Sequence, residues 1–140
     1  MKKELTELEI AESIPDLWQP LTQEQKDYLW HGPREKVRID SFFKKNENIY
    51  CEGETPNYLM CLLSGKVKIY KDGVGGRSQI IRVIKSHEYF AYRAYFAEEN
   101  YVTAAAAFEP CTICLIPMPT IVKLIQENPE LSMFFIKQLS

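Results

Sequence analysis

Through the middle of the chain, hydrophobic and polar positions alternate with a period of two, as in strands that bury one face. In residues 36–42, Val37, Ile39 and Phe42 lie among charged or polar neighbours. The same pattern, with turn residues such as Gly, Pro and Asn between the runs, predicts further strands at residues 49–51, 58–63, 66–70, 79–84, 103–108 and 111–116. Many short strands with regular turns indicate an antiparallel barrel or sandwich of jelly-roll type.

The first thirty residues have a helical period instead. Residues 4–13 are predicted to form a short amphipathic arm that ends before Pro15. Thr22 and Gln25 have the three-residue spacing of a capping box, so a second helix is expected to begin there. His31-Gly32-Pro33 is predicted to end it.

The helical period returns after Pro117. It predicts one helix up to Asn128 and a second amphipathic helix over residues 131–139. The second helix would expose much apolar surface if nothing covered it. We therefore expect it to pack on a partner subunit or to continue in a longer parent protein.

Residues 87–105 crowd aromatic side chains around Arg93. Such a cluster is either a self-filled core or the lining of a small-molecule pocket. Aromatic residues at three- and four-residue steps, Tyr89, Tyr92 and Phe96, predict a short helix. Its N-terminus is expected near Phe90 and Ala91, where free backbone N–H groups would suit an anion, and a strand is expected from Val102 onward.

Composition narrows the class of protein. A chain of 140 residues with 46% hydrophobic and 26% charged residues is expected to form a single self-sufficient core. No apolar run approaches the ~20 residues of a membrane-spanning helix, and the N-terminus lacks the apolar segment of a signal peptide. We therefore expect a cytoplasmic protein without membrane contact. The net charge of −2 lacks the basic excess of DNA-binding domains, so this chain itself is not expected to touch DNA.

The sequence contains few residues that could ligate a metal ion or act in catalysis. The cysteines and histidines are Cys51, Cys61, Cys111, Cys114, His31 and His87. Cys111 and Cys114 lie three positions apart on a predicted strand and should point to opposite faces, so we expect buried reduced thiols. A metal enzyme would need two or three histidines and a carboxylate around one ion. No cofactor, metal, haem or catalytic residue is therefore predicted.

Three stretches carry a specific resemblance: residues 46–54, 56–58 and 62–70, with Gly53 and Gly65 at tight turns. They resemble the cyclic nucleotide-binding domain of Crp/Fnr-type transcription regulators, and the resemblance extends over about residues 21–140. It implies a mainly β fold with flanking helices, a double-stranded β-helix (jelly-roll) barrel followed by the start of a long dimerisation helix.

The resemblance also implies a division of the chain. Residues 1–20 would form an N-terminal helical arm, residues 21–128 the barrel domain, and residues 129–140 the start of the dimerisation helix. The DNA-binding domain of such regulators would lie outside this chain. The implied partners are an unknown small-molecule effector, a second copy bound through the C-terminal helix, and DNA reached only through the missing domain.

The nucleotide-binding cassette of that family departs from its pattern here. The family has a glycine and a glutamate at the short helix and an arginine that binds the cyclic phosphate. The matching positions are Ala91, Tyr92 and Tyr101. A neutral phenol cannot replace the charge-assisted contacts of a guanidinium with phosphate. We therefore expect that cyclic AMP is not the natural ligand.

Three alternatives remain for the pocket. In the first, it holds another small molecule, with Arg93, Arg82 or His87 available for an acidic group. In the second, the aromatic residues fill it and the domain is a ligand-free dimerisation scaffold. In the third, a cyclic nucleotide binds through a rearranged contact. The candidate pocket residues are Phe90, Ala91, Tyr92, Arg93, Tyr101 and Val102. A sensor domain of a transcription regulator is the expected function, and a cupin-like metal enzyme is the alternative from another class.

Overall fold

The computed structural model describes residues 2–4, 6–31 and 36–139. Within them the strands are β1 (Lys2–Glu4), β2 (Arg38–Phe43), β3 (Asn48–Tyr50), β4 (Tyr58–Ser64), β5 (Val67–Asp72), β6 (Ser78–Ile84), β7 (Tyr89–Phe90), β8 (Ala104–Ala107) and β9 (Cys111–Pro117). The helices are α1 (Glu7–Ser13), α2 (Pro15–Trp18), α3 (Gln23–His31), α4 (Arg93–Phe96), α5 (Met118–Glu127) and α6 (Pro129–Leu139), and a short 3-10 turn covers Val74–Gly76.

The strands form two antiparallel sheets. One has the order β1-β2-β9-β4-β7 and the other the order β3-β8-β5-β6. An apolar cluster with members from both sheets, including Leu62, Val67, Ala105 and Ile113, lies between them. The mainly β, jelly-roll fold predicted from the alternating pattern is confirmed.

At β4, the five-stranded sheet is buried on both faces. In β4, Met60 and Leu62 belong to the cluster between the sheets, whereas Leu59 and Cys61 belong to a second cluster shared with the helices. A strand buried on both faces needs an almost continuous apolar run rather than an alternation. The sequence of β4, YLMCLLS, has that run.

The helices cover the outer face of this sheet. Ile10 of α1, Leu17 of α2 and Leu124 of α5 join the second cluster. α6 adds Leu131 and Phe135, which are buried, while its Met133 and Ile136 are 53% and 58% exposed. Among the described residues, no helix is long and apolar enough to cross a membrane.

Two predicted helix starts have different outcomes. The capping box at Thr22 is confirmed, because the Gln25 N–H donates to Thr22 Oγ1 at 3.2 Å and the Thr22 N–H to Gln25 Oε1 at 3.0 Å. The start of the first helix at Glu4 is wrong, because Glu4 ends β1 and a second capping box, between Thr6 and Glu9, begins α1 at Glu7. α3 ends at His31 as predicted, and the expected stop at Gly32 and Pro33 lies outside the described residues.

Gly65 shows why a glycine stands at the turn between β4 and β5. Its φ is +94°, and an added Cβ would lie 2.3 Å from the Pro110 carbonyl oxygen. No other side chain fits there without moving the backbone. Gly53 also has a positive φ, +87°, so the left-handed conformation expected at both turns is present.

The cysteines are reduced, and three of the four are buried. Cys111 lies in the cluster between the sheets and Cys114 in the helix-covered cluster, so the two point to opposite faces as expected. Cys51 is only half-buried, which corrects the expectation for that residue, because it follows the end of β3 beside the exposed turn at Gly53.

Candidate functional site

A cavity of about 530 Å³ opens at the side of the molecule where residues 90–103 pass over the inner face of β5 and β6. Its walls include the apolar side chains of Ile69, Ile81, Ile84, Phe90 and Val102. This volume lies within the ~300–1,000 Å³ of typical small-molecule sites. The aromatic residues of the segment therefore leave space beside them.

All six candidate pocket residues border this cavity: Phe90, Ala91, Tyr92, Arg93, Tyr101 and Val102. Of the cations proposed for an acidic group, Arg82 and Arg93 also border it. His87 does not; it is an exposed residue in the turn between β6 and β7. The structure brings the six together, and their role in binding stays a prediction.

Tyr101, which the sequence predicts in place of the family's arginine, is held inside the fold. Its ring stacks on that of Tyr50 with 3.8 Å between centroids. Its hydroxyl donates to the Ala91 carbonyl oxygen at 2.8 Å. Burial raises the pKa of Tyr101 well above its ordinary value, so the phenol stays neutral. The position thus supplies neither a cation nor a free donor.

Tyr92, which the sequence predicts in place of the family's glutamate, points toward the helices. Its ring meets those of Phe96 and Phe135 edge to face, with centroids 6.3 and 5.8 Å away. Its hydroxyl donates to the Gln138 carbonyl oxygen of α6 at 3.3 Å. Tyr92 is 3% exposed and belongs to the helix-covered cluster. It borders the cavity but mainly ties this segment to α6.

The local backbone differs from the expected helix start. Phe90 pairs with Met60 in the ladder of β7 with β4, and α4 begins only at Arg93. The expected N-terminus near Phe90 and Ala91 is therefore wrong, because sheet pairing holds the first of these residues extended. Ala91 has a φ of +74°, a left-handed conformation that favours glycine, the residue type predicted for this position in the family.

Arg82 reaches the cavity through an irregularity in β6. In the ladder of β5 with β6, Ile69 pairs with Arg82 and Tyr70 pairs with Ile80, which leaves Ile81 as an extra residue. Such a bulge turns side chains away from strict alternation. As a result, both Ile81 and Arg82 border the cavity. Sequence alternation alone could not reveal this, because the extra residue shifts the faces.

Two electrostatic features surround the cavity. Arg93 Nη2 donates to the Gln138 carbonyl oxygen at 3.1 Å, and Arg82 lies 3.8 Å from Glu88 in an ion pair that is half exposed. Burial raises the pKa of Tyr92, and the neighbouring charges of Arg93 and Arg82 oppose that rise.

Comparison with known proteins identifies the class. Residues 41–128 match the family model described as cyclic nucleotide-binding domain. The match covers more than half of the chain, and the chain belongs to this family. The family and fold predicted from the sequence are confirmed.

The similar proteins include regulators. An uncharacterized protein of Haemophilus influenzae is 32% identical over 97 residues, covering 69% of this chain and 75% of that protein. The global nitrogen regulator of a Nostoc species is 25% identical over 100 residues, covering 70% of this chain and 45% of the regulator. The sensor domain of the transcriptional regulator DNR from Pseudomonas aeruginosa has a TM-score of 0.79 at 23% identity, over 95% of this chain and 87% of that one.

Two observations bear on metal ligands and thiols in the described part of the chain. No group of three or more His, Cys, Asp or Glu side chains is placed there to hold a metal ion. Burial raises the pKa of the Cys61 and Cys114 thiols to about 12 each. A thiol with so high a pKa is a poor nucleophile near neutral pH.

Proposed function

We propose that this chain is the effector-binding domain of a dimeric Crp/Fnr-type transcription regulator in the cytoplasm and that its effector is not a cyclic nucleotide. The main observation is a cavity in a cyclic nucleotide-binding fold. Tyr101, the residue predicted in place of the family's arginine, borders this cavity and donates its hydroxyl proton to the Ala91 carbonyl oxygen. Since several similar proteins are named as regulators, we propose a regulatory role without catalysis. Contact with DNA would be made by another part of the protein.

Binding of a small molecule is supported by the cavity's lining. Apolar residues from both β5–β6 and the segment after β7 face a space that the surrounding rings leave open. Burying an apolar ligand there would gain roughly 25 cal/mol for each Å² removed from water. An empty scaffold would have no need for such a space, since protein interiors are close-packed.

Loss of cyclic nucleotide binding is supported by the two tyrosines. A phosphate placed beside Tyr101 would meet a neutral phenol whose only proton is engaged by Ala91. A ribose hydroxyl would meet Tyr92 instead of a carboxylate, and the Tyr92 hydroxyl already donates to Gln138. The two charged contacts of the family's cassette would therefore be missing at these positions.

Dimerisation through the C-terminal helix is supported by one exposed apolar face. Met133 and Ile136 are three positions apart on α6 and are both more than half exposed. In contrast, Leu131 and Phe135 on the other side are buried against the sheet. A second copy of α6 is the partner that the family resemblance implies for the exposed side.

The binding proposal is tested with a neutral apolar reporter, N-phenyl-1-naphthylamine, whose fluorescence rises in an apolar cavity. We expect saturable binding to the protein and its loss in Val102→Trp, which fills the cavity mouth. Ile80→Trp is the matched control, because Ile80 is also an exposed apolar residue but lies on β6 and does not border this cavity. Equal reporter binding by both variants, or none by the original protein, would contradict the proposal.

The same preparation tests the excluded ligands. Thermal unfolding with millimolar cyclic AMP or cyclic GMP should match the ligand-free control. A ligand at about a hundred times its dissociation constant would stabilise the fold by ~2.7 kcal/mol, which is several degrees here. A shift of that size with either nucleotide would overturn this part of the proposal.

Self-association is tested with Ile136→Lys, which places a charge in the exposed face of α6. We expect the original protein to sediment as a dimer at high concentration and Ile136→Lys to sediment as a monomer. Leu8→Lys is the control, since Leu8 is 67% exposed on α1. A dimer that survives Ile136→Lys would place the contact elsewhere.

A further inference from the structure

We propose that the effector of this cavity is an apolar carboxylic acid whose carboxylate is bound jointly by Arg82 and Arg93. The inference rests on the proposed function and adds the chemical class of the ligand. It depends on where the two arginines lie, on the donors they retain and on the character of the remaining wall.

Arg82 faces inward on a strand of the barrel. Its ladder partner is Ile69, which belongs to the apolar cluster between the sheets, so the side chain of Arg82 starts on the inner face. An arginine at such a position is unusual, because charged side chains normally lie on the outer face of a strand. The bulge at Ile81 sets this arginine at the cavity mouth instead of deep between the sheets.

Arg93 borders the same cavity from a different element. It is the first residue of α4, whereas Arg82 lies on β6. Two cations that border one cavity can bind a single anionic group together.

Both arginines retain donors for a ligand. A guanidinium has five N–H donors, and the Arg93 side chain uses Nη2 on the Gln138 carbonyl oxygen. Arg82 forms a half-exposed ion pair with Glu88 at 3.8 Å. Such a pair contributes little to stability, so a ligand carboxylate replaces it at small cost.

The rest of the ligand must be largely apolar. Much of the wall is apolar, with Ile69, Ile81, Ile84, Phe90 and Val102, and Glu99, Asn100 and Thr103 add polar groups to it. The neighbouring Tyr92 and Tyr101 hydroxyls each donate to a backbone carbonyl within the protein. A sugar body would bury hydroxyl groups against the apolar part of the wall, which is costly where they find no partner. An aromatic or aliphatic body gains from the same burial.

The test uses acids and their neutral amides as competitors of N-phenyl-1-naphthylamine. The pairs are 1-naphthaleneacetate with 1-naphthaleneacetamide and octanoate with octanamide. Since acid and amide share the same body, their difference isolates the charge. We expect at least one acid to displace the reporter at a concentration about tenfold or more below its amide, as a charge-assisted contact implies.

Variants assign the effect to the arginines. Arg82→Gln and Arg93→Gln should each weaken displacement by the acid about tenfold and leave displacement by the amide unchanged. Arg77→Gln is the control, because Arg77 is exposed just before β6 and does not border the cavity. Thermal unfolding of each variant confirms that it is folded.

The outcomes separate the two proposals. If the reporter binds but acids and amides displace it equally, or no acid displaces it, the carboxylate inference fails and the effector-binding function stands. An acid preference unchanged by both arginine variants also overturns the inference. Displacement by cyclic AMP that depends on Arg82 and Arg93 would assign the pair to a nucleotide. If the reporter itself does not bind, the proposed function fails.

Discussion

Ala91 has a backbone conformation that is strained for a residue with a Cβ. It adopts a φ of +74° without being a glycine. For residues with a Cβ, the left-handed conformation costs roughly 1–2 kcal/mol. The Tyr101 hydroxyl bonded to the Ala91 carbonyl oxygen helps to hold the residue in place. The turn after β7 therefore keeps the shape of a glycine turn although the glycine is absent.

Ala91→Gly should stabilise the protein because it removes this strain. The gain is reduced by the greater freedom of glycine in the unfolded chain, so we expect about 0.5–1 kcal/mol and a rise in Tm of about 2–4 °C. Ala94→Gly, in the body of α4, is the control and should destabilise by about 0.5–1 kcal/mol. Thermal unfolding of both variants measures the difference. Destabilisation by Ala91→Gly would show that the turn is unstrained.

The helices are joined by a buried amide pair. Asn128, between α5 and α6, donates from Nδ2 to the Pro20 carbonyl oxygen at 2.8 Å and to Gln25 Oε1 at 2.9 Å. Its Oδ1 accepts the Leu131 N–H at 3.1 Å and caps α6. Gln25 Nε2 in turn donates to the Glu127 carbonyl oxygen at 3.1 Å. One side chain thus caps α6 and fixes it to the N-terminus of α3.

Asn128→Asp separates these two roles. Aspartate is as good an N-cap as asparagine, but it cannot donate to Pro20 or Gln25 when ionised. We expect a loss of about 1–3 kcal/mol in the free energy of unfolding, measured in urea. The same exchange at exposed Asn57 should change stability by less than about 0.5 kcal/mol. Equal effects at both positions would mean that the cap alone matters.

The molecule as a whole buries several weak acids on the two faces of the five-stranded sheet. Cys61 and Cys114 are ladder partners on the helix-covered face. Burial raises the pKa of each thiol to about 12, and it raises the pKa of Tyr50, on the other side, also to about 12. These groups remain protonated in the folded protein at a pH where they ionise in the unfolded chain.

Stability should therefore fall as the pH rises above about 9. A group whose pKa is raised on folding stabilises the protein at any pH below its pKa in the unfolded chain. This stability is lost as the pH rises from the pKa of the unfolded chain to that of the folded protein, here from about pH 9 to 12. Each buried thiol should account for roughly 1–2 kcal/mol by pH 10. Urea unfolding at pH 7, 9 and 10 with a reductant measures this loss. It should be smaller in Cys61→Ala, and a flat profile would refute the assignment.

The sequence predicted more of the fold than of the candidate site. Alternation, turn residues and the stretches around Gly53 and Gly65 predicted the antiparallel sheets, the flanking helices and the family. β7 was missed because Tyr89 and Phe90 are too few to show a period, and only their pairing with β4 makes them a strand. The six pocket residues were named from the sequence, but the inward turn of Arg82 depends on a bulge without a sequence signal.

The sequence by itself determined the class of fold, because most of the strands and the cap at Thr22 are encoded by local patterns of apolar, turn and capping residues. It also predicts that no cation stands at the position of the family's arginine, since the resemblance places Tyr101 there. Only the tertiary structure decided which way the cassette's tyrosines turn, Tyr92 toward α6 and Tyr101 toward Tyr50. Only it could bring Arg82 and Arg93 to one cavity, because they meet through packing between separate elements rather than through any spacing along the chain.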